Sequence, residues 1–145
     1  MKLLVINGPN LNMLGIREPQ IYGYSTYADL VRYINDVCTK NDIVSEIYQS
    51  NHEGNIIDRI QQAYMVFDAI VINPAAYTHT SIAIADAIKS VNIPSVEVHL
   101  SDITKREDFR KHSFTSNSCL KTIMGKGFDG YEEAILFLKD YLNKC

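Results

Sequence analysis

The sequence has too few cysteines, and too widely spaced, for a covalent or metal-held frame. Cys38, Cys119 and Cys145 are the only three, and no two stand in a Cys-x-x-Cys pair. That excludes a disulfide scaffold and a thiolate zinc site, and it suits reduced thiols in the cytoplasm. No apolar run approaches the roughly 20 residues of a membrane-spanning helix. Only four apolar residues follow Lys2 before Asn7, too few for a signal peptide. Nor is there an excess of positive charge: 14 Lys and Arg stand against 17 Asp and Glu, a net charge of −3. A chain so charged has no global field to draw nucleic acid or an anionic membrane. The one local cluster of cations, Lys105, Arg106, Arg110 and Lys111, is too short to follow a phosphate backbone and suits a small anion better. A Gly-x-Gly-x-x-Gly fingerprint is missing, as are internal repeats and low-complexity linkers.

What is present is an ordinary globular composition in 145 residues, 46% hydrophobic and 21% charged, enough for one domain spanning 1–145. Apolar runs and helical periodicities alternate along it. Lys2–Ile6 reads as a buried first strand running into a turn at Gly8-Pro9. Ser25 or Thr26 is placed to cap a helix through Leu30, Ile34 and Val37. Ile43–Gln49 alternates as a half-covered strand, and Asn55 is placed to cap a second helix through Ile56, Ile60 and Tyr64. Ala69–Asn73 is a short apolar run ending in Asn-Pro, as expected of a central parallel strand. Ser81–Val91 reads as a helix covered on more than one side, Ser95–His99 and Thr122–Met124 as the fourth and fifth strands, and Tyr131–Leu142 as a closing amphipathic helix. Five strands alternating with helices imply an α/β fold, a doubly wound parallel sheet with helices on both faces and a flavodoxin-like strand order.

In such a sheet ligands gather at the carboxyl ends of the strands. Four segments end strands there: Asn7–Tyr22, Gln49–Gly54, Asn73–Ser81 and Glu97–Ser101. They bring Asn10, Asn73, His79, Glu97, His99 and Ser101 toward one edge. The first is a long loop broken by Gly15, Pro19 and Gly23, read as a mobile lid over 16–24 that carries Arg17 and Tyr22. In Glu97-Val98-His99 the two polar residues face the same way, so the carboxylate can hold the imidazole in one tautomer and raise its pKa. That makes His99 a candidate general acid. Arg106 and Arg110, four apart, share a face if the segment is helical, and otherwise form a solvated run with Glu107 and Asp108. His52 is read as shaping its loop and His112 as solvated. Asp86, inside an apolar helix, needs a partner or a neighbouring subunit. Three classes fit these residues. One is a cofactor-free enzyme using Tyr22 and His99 as base and acid. Another is a metal enzyme using His79, His99 and Glu97. The third is a nucleotide-binding or regulatory module, which the Asn73 terminus of the central strand disfavours because a phospho-acceptor Asp is expected there.

The runs Asn7-Gly-Pro-Asn-Leu-Asn-Met-Leu-Gly15, Arg17-Glu-Pro, Tyr22-Gly, Gln49-Ser-Asn-His-Glu-Gly54, Asn73-Pro-Ala-Ala-Tyr-Thr-His-Thr-Ser81, Glu97-Val-His-Leu-Ser101 and Arg106-Glu-Asp-Phe-Arg-Lys-His-Ser113 closely resemble type II 3-dehydroquinate dehydratase, in order over essentially the whole chain. The resemblance implies removal of water from 3-dehydroquinate in the shikimate pathway, through an enolate, with no cofactor and no metal. It makes Tyr22 the base at C2. A free tyrosine titrates at about 10, so Arg17, supported by Arg106, is implied as the cation that ionises it. Asn10 is implied at the enolate oxygen, through a water, and His99, oriented by Glu97, as the acid at the C1 hydroxyl. Asn73, Ser101 and the backbone near Leu100 are implied at the substrate carboxylate, and His79 and Arg110 at ring hydroxyls. Asp86 is implied to reach a neighbour's site in a homo-oligomer, a dodecamer built from trimers. Lys105, Lys121 and Lys126 depart from the family's usual pattern.

Overall fold

The computed structural model describes every residue except Arg17, and at Tyr22 its backbone alone. Five strands, β1 (Lys2–Asn7), β2 (Val44–Gln49), β3 (Ala69–Asn73), β4 (Ser95–His99) and β5 (Lys121–Met124), form one parallel sheet in the order β2-β1-β3-β4-β5. This is the flavodoxin-like order. β3 and β4 are buried along their whole length, β3 through an apolar run that ends in Asn73 and β4 with Ser95, Glu97 and His99 buried beside its valines, while β2 at the edge is nowhere fully covered.

Alternate side chains build two cores. Leu3, Val5, Val71, Val96 and Val98 face α2 (Tyr27–Lys40) and α5 (Asp129–Asn143). Leu4, Ile6, Ile70 and Ile72 face α3 (Glu53–Gln62) and α4 (Ile82–Val91). Each fully buried Leu or Ile contributes about 1.5–3 kcal/mol of transfer free energy, so both layers are anchored by several such contacts. Thr26 caps α2 in a reciprocal box with Asp29, and Ser81 caps α4 through the Ile84 amide.

Several expectations need correction. α3 starts at Glu53, so Asn55 lies inside its first turn: the His52 carbonyl already accepts the Ile56 amide, and no side chain caps that end. His52 is therefore the extended residue immediately before the helix. α5 begins two residues before Tyr131. The segment read as one irregular loop after β1 contains a short 3-10 turn, Leu11–Met13, and a four-residue helix, α1 (Pro19–Tyr22). Buried Leu11 and Leu14 tie the first part of that loop to the core. α4 is covered on more than one side, as expected, with Ile84, Ala85, Ala87, Ile88 and Val91 buried, while in a single chain Ile82, Ala83 and Asp86 lie exposed along the remaining side. Arg106 and Arg110 do not share a helix. Arg106 is extended, and only Asp108–Arg110 makes a 3-10 turn.

Gly8 is set by close approach. A Cβ there would lie 2.6 Å from the Pro74 carbonyl oxygen, because the Gly8 amide donates to the Asn73 carbonyl at 2.8 Å. This joins the ends of β1 and β3, between which the sheet's order reverses.

Candidate active site

A cavity of about 120 Å³ opens at that reversal point. Its walls come from the loops after β1, β3 and β4. Of the expected site residues, Asn10, Asn73, His79, His99, Leu100, Ser101, Arg106 and Arg110 all line it. Glu97 lies fully buried behind His99, and Asp86 is exposed on α4 and does not line the cavity of its own chain. Arg17 and the side chain of Tyr22 lie outside the described residues; the Tyr22 backbone closes α1. The segment Gln49–Gly54 reaches the same edge, but as a support. The Asn51 carboxamide oxygen accepts the Asn10 amide at 2.9 Å and Gln49 Nε2 at 3.2 Å. Asn10 itself is left-handed, with φ 68°, a conformation that asparagine tolerates better than most residues.

Asn73 is held at both ends of its amide. Nδ2 donates to the Tyr131 hydroxyl at 3.0 Å, and Oδ1 accepts the Ala75 amide at 3.1 Å. Tyr131 in turn donates to Asn7 Oδ1 at 2.7 Å, all of it buried under the strand ends. One Nδ2 hydrogen is left over for a ligand.

His79 has its tautomer set by a neighbour. Nδ1 lies 2.7 Å from the His112 carbonyl oxygen, which only accepts, so Nδ1 carries the hydrogen. Burial, with His99 and Arg110 close by, pulls this imidazole below its ordinary range despite the His112 bond. Neutral His79 thus offers Nε2 as an acceptor. His112 is exposed and packs edge-on against Phe114.

His99 and Glu97 share a face of β4, as the two-residue spacing requires. Nε2 of His99 lies 3.5 Å from Glu97 Oε1. Burial alone drives Glu97 toward its neutral form, but His99 and the Thr115 and Thr78 hydroxyls outweigh it and hold the carboxyl below the usual range. Thr78 Oγ1 donates to Oε1 at 2.5 Å, and Ser113 Oγ lies 3.1 Å from Oε2. Thr115 also donates to Oε1, and Thr122, opposite Glu97 on β5, reaches Oε2 at 3.3 Å. None of these four hydroxyls was singled out in the sequence. The available signal was Glu97 itself, a carboxylate between two buried valines, which must find donors.

On the cation side, Arg106 and Arg110 flank one carboxylate: Arg110 Nε is 3.1 Å and Arg106 Nε 3.9 Å from Glu107 Oε2. Asp108 pairs instead with Lys111 at 3.0 Å. Lys121 and Lys126, the departures noted in the sequence, both pair with Glu133 of α5. Gly125 and Gly127, both at positive φ, donate to the carbonyls of His99 and Leu100 and fix that corner of the cavity. His79, His99 and Glu97 do not make a metal-ligand set, and among the described residues no three of His, Cys, Asp or Glu do.

A family model described as dehydroquinase class II matches residues 1–139. A 3-dehydroquinate dehydratase of Clostridium acetobutylicum is 57% identical over 144 residues, covering 99% of this chain and all of that relative. One of Fusobacterium nucleatum is 54% identical over 147 residues, with 99% and 100% covered. The crystal structure of a type II dehydroquinase from Butyrivibrio crossotus superposes with a TM-score of 0.94 at 55% identity, covering 96% of this chain and 97% of the other.

Proposed function

The chain belongs to the class II dehydroquinase family, and from that membership we propose how its cavity carries out the family's reaction. The reaction is the loss of water from 3-dehydroquinate to give 3-dehydroshikimate, a step of the shikimate pathway, and the enzyme is a hydro-lyase.

In this reading Tyr22 removes the proton from C2, next to the ketone, and negative charge passes to the ketone oxygen. Asn10, presented by its left-handed turn, steadies that enolate through a water. His99 then donates a proton to the departing C1 hydroxyl, from the opposite face in a trans elimination. The carboxylate of Glu97, 3.5 Å from Nε2, stabilises the imidazolium that precedes this transfer. Arg17 and Arg106 favour the phenolate of Tyr22. Each unit of tyrosine pKa depression takes about 1.4 kcal/mol of preferential stabilisation. Arg106 suits this task, since its side chain is 14% exposed and therefore poorly screened. Asn73, with its spare amide hydrogen, Ser101 and the backbone at Leu100 receive the substrate carboxylate. His79, through its Nε2 acceptor, and Arg110 hold ring hydroxyls, and segment 16–24 closes over the bound substrate.

The observation that carries this reading is the buried Glu97–His99 pair at the floor of a cavity ringed by anion and hydroxyl partners. Replacement of His99 by Ala, or of Tyr22 by Phe, is expected to nearly abolish turnover with circular dichroism unchanged. Retained turnover in either folded variant would remove that residue from the mechanism.

The assembly in this reading is a dodecamer of trimers in the cytoplasm, with Asp86 reaching a neighbour's cavity. Its support is the open side of α4, where Asp86 stands beside exposed Ile82 and Ala83. All three cysteines are free thiols, and among the described residues no helix is long and apolar enough to cross a membrane. Sedimentation equilibrium should give a particle of twelve 16.4 kDa chains. A fully active monomer would overturn both the assembly and the role of Asp86.

A further inference from the structure

We propose that Thr78, Ser113, Thr115 and Thr122 are positioning residues that keep the Glu97 carboxylate charged and fixed in both protonation states of His99. The catalytic consequence rests on the dehydratase reading; the structural premise does not.

Glu97 is fully buried, and its only charged partner among the described residues is His99, 3.5 Å away. A buried carboxylate with one imidazole partner becomes an orphan anion once that imidazole gives up its proton. It would then either recapture the proton or take one from solvent, and the next turnover would start from a neutral acid. The hydroxyls remove this difficulty. Thr78 and Thr115, both without exposure, approach Oε1, Thr122 approaches Oε2, and Ser113 lies within 3.2 Å of both. Hydroxyls are dipoles that carry no proton equilibrium of their own near neutral pH, so their support does not change when His99 titrates.

The set is held from several directions. Thr78 follows β3, Thr122 lies opposite Glu97 on β5, and Ser113 and Thr115 sit on the segment between β4 and β5. That segment is fastened to the β3 loop by the Phe114 amide on the Thr78 carbonyl at 2.8 Å. Ser113 Oγ accepts the Ser116 amide at 3.0 Å, which leaves its single hydrogen for donation. The titratable groups facing Glu97 are His99 on β4, His79 after β3 and the half-buried thiol of Cys119. Arg110 stands near His79 and is itself paired with Glu107.

Thr115→Val keeps the shape of the side chain and removes its donor. The readout is the infrared C=O stretch of a protonated carboxyl, assigned to Glu97 by its loss in Glu97→Gln, followed through a pH titration of substrate-free protein. In Thr115→Val that band should titrate roughly one to two pH units higher than in the unsubstituted protein, as expected for one lost bond to a charged group. The alkaline fall in kcat should move to higher pH, because a less supported carboxylate holds the imidazolium proton more tightly; kcat should drop about tenfold or more with KM unchanged, and Thr115→Ser should restore all three. An unshifted band and an unshifted alkaline limb in folded Thr115→Val would overturn the proposal, as would failure of Thr115→Ser to restore them. Should Thr115→Val not fold, Ser113→Ala and Thr122→Val carry the same test, and unmoved titrations in both would overturn it. The infrared titration needs no turnover, so it decides the proposal even if the protein fails to dehydrate 3-dehydroquinate.

Discussion

Replacing Tyr131 by Phe removes one oxygen from the largest fully buried side chain and leaves its ring in place. That oxygen donates to Asn7 Oδ1 at 2.7 Å and accepts from Asn73 Nδ2 at 3.0 Å. Burial pushes the Tyr131 hydroxyl far above its ordinary range, so the neutral O–H makes both bonds at any working pH. Without it, two buried amide groups lose their partners together. The Asn7 Nδ2 contact with Tyr27 does not help, since the group left bare on Asn7 is its oxygen. An unsatisfied buried polar group costs roughly 1–3 kcal/mol, so two cost about 2–4 kcal/mol after partial relaxation. Against a total of about 5–15 kcal/mol this is a large share. With an unfolding entropy of about 0.3 kcal/mol/K for a chain of this length, Tm should fall by about 7–13 °C. Function should suffer in a specific way. Asn73 keeps only its bond from the Ala75 amide and can swing, so KM should rise several-fold while kcat changes little. Calorimetry and steady-state kinetics on the folded variant test both halves. A Tm shift under about 2 °C with unchanged KM would refute the view that this network holds Asn73 in place.

Two further predictions concern pH and the β1–β3 junction. His79 titrates below its ordinary value in the fold, so as pH falls through about 6.5 the unfolded chain takes up the proton first. The stability it contributes above that pH is therefore lost on acidification. Urea midpoints should fall from neutral pH toward the folded-state pKa, with a shallower slope in His79→Gln; equal slopes would contradict the assignment. KM should rise over the same interval, because protonated Nε2 no longer accepts a hydroxyl. Gly8→Ala sets a Cβ against the Pro74 carbonyl, and such overpacking costs about 1–3 kcal/mol. Thermal stability and kcat/KM should drop together as the loop bearing Asn10 shifts; wild-type values would show that the junction yields freely.

The fold was readable where burial wrote itself into composition. Ala69–Asn73 and Ser95–His99 match the strand limits residue for residue, the first because a fully covered strand is an apolar run cut off by a turn residue and the second because its β-branched valines alternate between Pro94 and the following loop. Short turns left no such mark: a three-residue 3-10 turn at Leu11 and a four-residue helix at Pro19 are too brief for periodicity. The start of α3 was misplaced because its first turn is closed by a backbone carbonyl and not by a capping side chain. The residues that line the cavity were legible because strand ends of a parallel sheet converge. The supports behind them were not. Thr78, Ser113, Thr115 and Thr122 are ordinary loop and strand residues in one dimension and meet around Glu97 only in three. Tyr131, read as part of an amphipathic helix face, turned out to fasten Asn73, a contact 58 residues distant in sequence.

The most direct test of the central claim follows the ultraviolet absorbance of the conjugated enone after 3-dehydroquinate is added to purified protein with a chelator present. The account predicts a rise that persists with chelator and is lost in folded His99→Ala. Folded protein that produces no rise, or a His99→Ala variant that produces it at the normal rate, would contradict it.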